Sequence, residues 1–300
     1  MSLSLHEPIS TLLKGETTQA HPVARRAIDT TIALTALYAI LTGLVLLAAW
    51  AFNLPRLASF DSSGIVMQPN TALLSLLAGV SLLLVAFASR RLAGVLAIFV
   101  ALGGVATLVQ HIFSVDLGID RLLLFNRDWG TTGTVAPGRM GVPASLSYVL
   151  LGVGLALASL PEVSRIRRSF ACALAFVAAA IGFLSIVGYL LGADRLYSLP
   201  RLTAIAFQSA TVVLALAIGL IASLREQLPV LVLSERSAAG ILARRALPLI
   251  IIVPVLLGWL RTMGVDAGLY DVAFGTALRT VVEVGLFLAL LAWAVALVRA

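Results

Sequence analysis

The polar residues best suited to chemistry lie at the edges of long apolar segments. Two acid–base dipeptides, Asp120-Arg121 and Asp194-Arg195, recur in the same setting, Leu-Gly-x-Asp-Arg-Leu. Carboxylates and guanidinium groups form strong, charge-assisted hydrogen bonds with polar ligands. Polar side chains also open two apolar segments that precede these dipeptides. We therefore predict a ligand site where the two sets meet, formed by Asn70, Thr71, Asp120, Arg121, Ser145, Asp194 and Arg195. Because Asn and Thr also commonly cap helix N-termini, capping is an equal alternative.

A second candidate is a pair of charges inside an apolar segment. Arg279 and Glu283 are four residues apart and therefore lie on one face of a helix. A charge at the bilayer centre costs roughly 2.5–3.5 kcal/mol on insertion scales, so such residues usually face a bundle interior. Two interpretations stay open. The pair is either a buried polar site that responds to a ligand or a proton, or an interfacial pair in which Arg279 reaches the membrane surface.

Motifs for catalysis and metal binding are missing from the sequence. It has no Walker A loop, no His-Glu-x-x-His pair, no Cys-x-x-Cys and no Gly-x-Ser-x-Gly elbow. Of three histidines only His111 lies in an apolar segment, which excludes an intramembrane bis-histidine haem. We expect His111 to be an interfacial residue and the single cysteine, Cys172, to be a packing residue. We therefore expect no catalytic activity, metal or cofactor in these residues.

The elements that carry these residues are predicted to be membrane-spanning helices. Apolar residues make up 60% of the chain and charged residues 12%, whereas soluble domains carry roughly 25% charged residues. A spanning helix needs ~20 mostly apolar residues. The sequence therefore predicts an all-α polytopic membrane protein with eight transmembrane helices. The predicted spans are Ile28–Phe52, Pro69–Ser89, Leu92–Phe113, Pro143–Leu160, Ser169–Leu191, Thr203–Ser223, Ala246–Leu260 and Val272–Val298.

Basic residues predict the orientation of the spans, because cytoplasmic segments are enriched in Lys and Arg. With the N-terminus in the cytoplasm, 13 basic residues fall inside and 7 outside, and Arg279 lies within a span. We therefore expect residues 1–26 to be a cytoplasmic tail and residues 27–300 to form the transmembrane domain of a bacterial inner-membrane protein. Both termini then face the cytoplasm. The net charge of +7 is expected to meet the anionic lipid bilayer, with no nucleic acid as partner.

Two segments of the chain match at an offset of 74 residues. Pro69-Asn70-Thr71 aligns with Pro143-Ala144-Ser145, and residues 117–122 align with residues 191–196. An arginine pair lies between the two matches in each copy. Each unit, about 69–122 and 143–196, is therefore predicted to be a helix hairpin followed by an outer loop. Two helices per unit keep both copies in the same orientation, unlike the inverted repeats of many transporters. A third, weaker copy begins at Leu202.

Residues 114–142 form the longest predicted outer loop and mix acidic, aromatic and turn residues. Loops of this length without secondary structure are often functional. A functional loop and a lid over the bundle are both consistent with this composition.

Several short motifs together resemble a known kind of membrane region. Met67-Gln68-Pro69-Asn70-Thr71-Ala72-Leu73 resembles the Met-x-Pro-Asn-Thr-Ala-Leu opening of the N-terminal membrane regions of many bacterial sensor histidine kinases and related cyclic-di-nucleotide signalling proteins. Residues 117–123, 137–140, 243–248 and 254–271 are similar to later parts of those regions, whereas residues 143–145 depart from the opening motif. The resemblance implies a sensory input module for an unknown small-molecule or membrane-derived stimulus. A homodimer is implied as well.

The C-terminal segment agrees with this interpretation. Residues 284–298 favour helix without a stop signal and lead to Ala300 on the predicted cytoplasmic side. We therefore expect an output domain, such as a kinase or cyclase, to lie outside these residues. The alternative function is a small-molecule transporter or an accessory membrane subunit.

Overall fold

The computed structural model describes residues 22–58, 64–127, 129–161, 164–193, 198–199, 203–235 and 237–299. Apolar helices make up most of this part of the chain, because the backbone N–H and C=O groups of an apolar segment are satisfied within a helix. Two short strands pair antiparallel, with Ser198 opposite Ala204. The elements in order are α1 (Pro22–Ala51), α2 (Pro55–Ala58), α3 (Pro69–Phe87), α4 (Arg90–Phe113), a 3-10 turn (Ile119–Arg121), α5 (Val142–Ser159), α6 (Arg165–Leu191), β1 (Ser198–Leu199), β2 (Thr203–Ala204), α7 (Phe207–Ser223), α8 (Leu228–Ser234), α9 (Ala238–Asp266) and α10 (Val272–Arg299).

Seven of the described helices, namely α1, α3, α4, α5, α6, α9 and α10, are long and apolar enough to cross a membrane. They indicate a multi-pass membrane protein and correspond to seven of the eight predicted spans. The remaining predicted span corresponds to α7, which is apolar but has only 17 residues.

Six helices form a bundle with three inner and three outer members. The inner helices α3, α5 and α7 contact one another. Each outer helix packs between two inner ones: α4 between α3 and α5, α6 between α5 and α7, and α1 between α7 and α3. Apolar side chains fill the interior, including the fully buried Ile32, Leu82, Tyr148 and Leu216. Helix α1 therefore packs between α7 and α3 in the same way as α4 packs between α3 and α5 and α6 packs between α5 and α7.

The hairpins α3–α4 and α5–α6 share local features, although the repeat as such stays a prediction. Ser89 and Ser164 are the N-cap residues of α4 and α6, and each side chain accepts a backbone N–H at 3.4 Å. Proline lies in the first turn of both α3 and α5, where it costs no hydrogen bond. The matched hexapeptides lie at different places relative to the helices. Leu117 lies four residues after the end of α4, whereas Leu191 is the last residue of α6.

Small residues allow close contact between these helices. Ala171, Ala175, Ala178 and Gly182 lie in a buried stripe along α6, as their helical spacing predicts. A Cβ atom on Gly152 of α5 would lie 2.4 Å from the backbone nitrogen of Ala101 in α4, which shows direct backbone contact. Such stripes let helices approach where no hydrophobic force acts between them. Cys172 is buried beside this stripe and is a packing residue, as expected.

Four predicted segments begin four or more residues away from the start of their helix. Helix α1 begins at Pro22 instead of Ile28 and α6 at Arg165 instead of Ser169, and the seventh and sixth segments differ as follows. The seventh segment was predicted as Ala246–Leu260, but α9 runs for 29 residues and continues through Pro248 and Pro254. The prediction followed the apolar run, which ends at arginines on both sides, but the helix continues past these arginines. The sixth was predicted to begin at Thr203, which instead lies in β2, so α7 begins at Phe207.

The bundle has two chemically different ends. At the end called here the arginine end, Arg225 of the α7–α8 turn pairs with Asp29 near the start of α1, and Arg168 of α6 pairs with Glu226. At the opposite end, called the loop end, Gln208 near the start of α7 donates to the carbonyl of Ala58 at 3.1 Å. Helix α7 therefore extends from one end of the bundle to the other, alongside α1.

The last two long helices stand apart from the bundle. Helices α9 and α10 pack against each other, and α9 contacts α6. Most of their large apolar side chains are exposed, for example Ile252 and Leu288 at about 60%. In a multi-pass membrane protein such surfaces face lipid or another membrane protein.

Candidate functional site

Residues 114–141, called here the lid, cover the loop end of the bundle. Arg127 donates to the carbonyls of Trp50 and Ala51 at 3.0 and 2.5 Å and so satisfies acceptors left free at the end of α1. Trp129 stacks on Trp50 with 3.9 Å between the ring centroids and donates to Asn53. These contacts fasten the middle of the lid to α1.

Further hydrogen bonds fasten the lid to other elements. Gln68, which precedes α3, donates to the carbonyl of Gly130 at 2.8 Å. The backbone N–H of Ala204 in β2 donates to the carbonyl of Gly133 at 2.8 Å. A ring nitrogen of His111 lies 2.9 Å from the carbonyl of Met140. His111 therefore lies at the end of α4 as a lid contact, and the loop packs as a lid.

A buried cluster of charged and polar groups joins the two ends of the lid. Asp120 is 3% exposed and Arg139 is 7% exposed, and Arg139 Nε lies 2.7 Å from Asp120 Oδ2. Gln110 of α4, which is fully buried, donates to both carboxylate oxygens of Asp120 at 3.2 and 3.1 Å. Its own amide oxygen accepts hydrogen bonds from Leu117 N and from Arg139 Nη2. Each buried group thus has partners, as low-dielectric surroundings require.

An exposed rim lies next to this buried cluster. The 3-10 turn directs Asp120 inward and Arg121 outward, and the Arg121 side chain is 78% exposed. Arg121 pairs with Asp116 at 3.4 Å, and Asp116 also lies 3.8 Å from Arg139. The neighbouring residues of the predicted Asp-Arg motif therefore have different environments.

The structure brings some of the predicted site residues together. Asn70 Nδ2 lies 3.5 Å from Asp120 Oδ1, while Asn70 Oδ1 accepts the backbone N–H of Thr71 at 2.7 Å. Asn70 thus accepts one N–H in the first turn of α3 and also contacts the charged cluster. The N-cap residue of α3 is Gln68, whose side chain makes no capping hydrogen bond, so Asn70 and Thr71 are not the cap that the sequence offered as the alternative. Ser145 is buried and donates to the carbonyl of Gly141, the residue before α5. Asp194 and Arg195 lie outside the described residues, and the ligand role of the whole set stays a prediction.

A small polar cavity lies beside Arg139, where the three inner helices begin. Its volume is about 10 Å³, close to the minimum for one water molecule, and it is lined by Gln68, Thr71, Arg139 and Ser209 among others. Gln68 is 5% exposed, and its side-chain oxygen accepts no hydrogen bond from the described residues. Helix N-termini carry partial positive charge. The cavity therefore suits one water molecule, whose oxygen can face these helix N-termini and whose O–H group can donate to the Gln68 oxygen.

This arrangement is suited to switching. Arg139 lines the cavity and pairs with Asp120, so a change of charge at this pair would alter the attachment between the two ends of the lid. Within the described part of the chain, no group of three His, Cys, Asp or Glu side chains is placed to hold a metal ion.

The charged pair of the last helix lies in a less enclosed place. Arg279 Nε and Glu283 Oε1 are 2.7 Å apart, and their side chains are 34% and 21% exposed. A Cβ on Gly258 of α9 would lie 3.4 Å from Leu191 at the end of α6 and 3.5 Å from Arg279. The pair is therefore half-buried at the junction of α6, α9 and α10. Its exposure is intermediate between a buried polar site and an exposed interfacial pair, the two predicted alternatives.

Sequence reasoning did not assign Gln110 and Arg139 to the site. A glutamine in an otherwise apolar helix was one available signal, because an uncompensated amide is costly in a membrane. Arg139 lay in the Pro-Gly-Arg-Met motif, but nothing in the sequence identifies Asp120 as its partner.

Comparison of the chain with protein-family models, with curated proteins and with solved structures finds no match.

Proposed function

We propose that this chain is the membrane-embedded input region of a bacterial signalling protein and that its stimulus acts at the loop end. The observation that carries the proposal is the buried Asp120–Arg139 pair, which joins the two ends of the lid beside a polar cavity. Taking two charges out of water is costly, and breaking a buried pair leaves an uncompensated charge, so such a pair can hold a loop in one arrangement. A ligand or a change of charge that separates the pair would release the attachment between the two ends of the lid.

Such a site has the properties of a two-state element. The lid is held by one buried charge pair and by several contacts to α1, α4, β2 and the residue before α3, so loss of the pair weakens a single, defined attachment. A switch requires a local change in charge or packing that biases an element with two arrangements. The lid and its cluster meet this requirement better than the tightly packed apolar interior of the bundle.

The route to an output would pass through the last two helices. Leu191 ends α6 near the loop end and packs at Gly258 of α9, beside Arg279 of α10. A displacement of α6 would therefore act on the charged pair of α10. Helix α10 then leads to Arg299, which we place in the cytoplasm.

The proposed topology has eight crossings, with α7 as the short sixth span and both termini in the cytoplasm of the inner membrane. Support comes from α7 joining both ends of the bundle and from the arginines at one end, as cytoplasmic segments favour. A 17-residue helix is at the lower limit for a span, roughly 17–25 residues.

Cysteine labelling tests this topology. In a Cys172→Ser background, single cysteines replace Leu122 and Leu269, which are 77% and 76% exposed. If α7 crosses the membrane, both residues lie outside, and a membrane-impermeant maleimide labels both in intact cells. Labelling of the Leu122 position alone would mean that α7 does not cross.

A reporter fusion tests the signalling function. The 300 residues are joined in frame to the cytoplasmic core of a histidine kinase whose output is measured by transcription. We expect Asp120→Asn and Arg139→Gln to shift output by about tenfold or more, since an equilibrium shift of about 1.4 kcal/mol is tenfold.

The matched control is Asp116→Asn, which removes a carboxylate of the exposed rim next to the same cluster. It is expected to leave output within about twofold of the parent, as exposed pairs contribute little. Equal output from all variants at equal membrane levels would contradict the proposal. Solute uptake by vesicles containing the protein would favour the transporter alternative.

A further inference from the structure

The arginine end of the bundle contains a cavity of about 330 Å³. The ends of α1, α3, α5, α6 and α7 and the start of α4 surround it. Its volume is at the lower end of the roughly 300–1,000 Å³ range of small-molecule sites. It lies at the opposite end of the bundle from the lid.

Among the described residues, arginines outnumber acidic residues around this cavity. Four arginines line it: Arg25, Arg90, Arg168 and Arg225. Arg168 pairs with Glu226 and Arg225 pairs with Asp29. Arg25 and Arg90 form no ion pair with any described residue, so within the described part of the chain two arginines at the cavity lack a carboxylate partner.

The cavity is also amphipathic. Arg25 and Arg90 are exposed at its rim, whereas Ile32, Ala158 and Leu224 in its wall are at most 8% exposed. An occupant therefore meets cationic groups on one side and apolar side chains on the other. A fully hydrated ion would leave the apolar wall unused.

We propose that this cavity binds the phosphate group of an anionic phospholipid. Guanidinium groups recognise phosphate oxygens through two parallel hydrogen bonds, which gives them geometric specificity. Basic pockets between membrane helices on the cytoplasmic side are suited to anionic lipid headgroups. The arginines lie at the ends of the apolar helices, the depth at which headgroups lie. The acyl chains would run along the apolar outer surface of the bundle.

The site is independent of the proposed signalling role, since it uses neither the lid nor the charged pair of α10. It rests on the membrane location of the helices. The competing explanation is that these arginines only set the orientation of the spans and attract anionic lipid without a defined site. The two explanations predict different losses of lipid binding when arginines that line the cavity are replaced and when neighbouring arginines outside it are replaced.

Lipid binding to the purified chain distinguishes the explanations. Native mass spectrometry in detergent measures the dissociation constant for phosphatidylglycerol, with phosphatidylcholine as the zwitterionic reference. The test variant is Arg25→Gln with Arg90→Gln. The control is Arg91→Gln with Arg167→Gln, which removes the same charge from exposed neighbours that do not line the cavity.

We expect the test variant to bind phosphatidylglycerol about thirtyfold more weakly than the parent, and the control to stay within about threefold. Equal losses in the two variants, or no preference of the parent for phosphatidylglycerol, would overturn the proposal. Thermal unfolding in the same detergent tests whether both variants fold.

The source of the phosphate is tested by competition. Glycerol phosphate and inorganic phosphate, each at millimolar concentration, are added to the parent with bound phosphatidylglycerol. A lipid site keeps its lipid, because the acyl chains contribute to binding. Complete displacement by either soluble compound would overturn the assignment to a lipid and identify the ligand as a free phosphate compound.

Discussion

Replacing Arg139 with glutamine is expected to lower the free energy of unfolding by about 3–5 kcal/mol. The substitution leaves the carboxylate of Asp120, which is 3% exposed, without its cation at 2.7 Å. The hydrogen bonds from Gln110 remain but do not neutralise the charge. Equilibrium unfolding in mixed micelles, followed by tryptophan fluorescence, measures the change, and stacked Trp50 and Trp129 report on the lid.

The double variant Asp120→Asn with Arg139→Gln is the sharper test. Replacing both charges by amides removes the uncompensated carboxylate, so much of the lost stability should return. Asp116→Asn is the matched control, since its side chain is 52% exposed, and it should cost less than about 1 kcal/mol. A double variant less stable than either single variant would show that the pair does not govern the stability of the lid.

The sequence predicted the helices well because their cause is local. An apolar run of span length requires a helix in a membrane, whatever its neighbours are. For the start of α3 at Pro69 and the end of α4 at Phe113, the predicted residue and the observed residue are the same. The boundary that failed at α7 depends on a distant contact: the backbone of Ala204 pairs with Gly133 of the lid, which holds the segment before α7 extended.

The charged cluster was predictable only in part. Asn70 and Asp120 were expected to meet, and they lie 3.5 Å apart. The sequence analysis treated Asp120 and Arg121 as one motif. In the 3-10 turn their side chains point in different directions, and the arginine that pairs with Asp120 is Arg139. Partner choice across the lid depends on how residues 114–141 fold over the bundle, for which composition and periodicity carry no signal.

For the charged pair of α10, we expect an asymmetric response to substitution. At 1.5 Å per residue, Arg279 lies roughly 10 Å and Glu283 roughly 16 Å along the helix from Val272. If α10, about 42 Å long, is centred on a ~30 Å hydrocarbon layer, Glu283 lies about 10 Å inside it. The long side chain of Arg279 reaches the interface by itself, whereas the shorter Glu283 does not.

Arg279→Gln should therefore destabilise the protein by about 2–3 kcal/mol, because it leaves Glu283 without its partner at 2.7 Å in an apolar layer. Glu283→Gln should cost less than about 1 kcal/mol, since Arg279 then turns toward the interface. The double variant should resemble Glu283→Gln. The same unfolding measurement applies, and the reporter fusion shows whether Arg279→Gln also changes output. Equal losses of stability in the two single variants would place the pair at the interface. The charged pair of α10 would then have no part in the proposed signalling route.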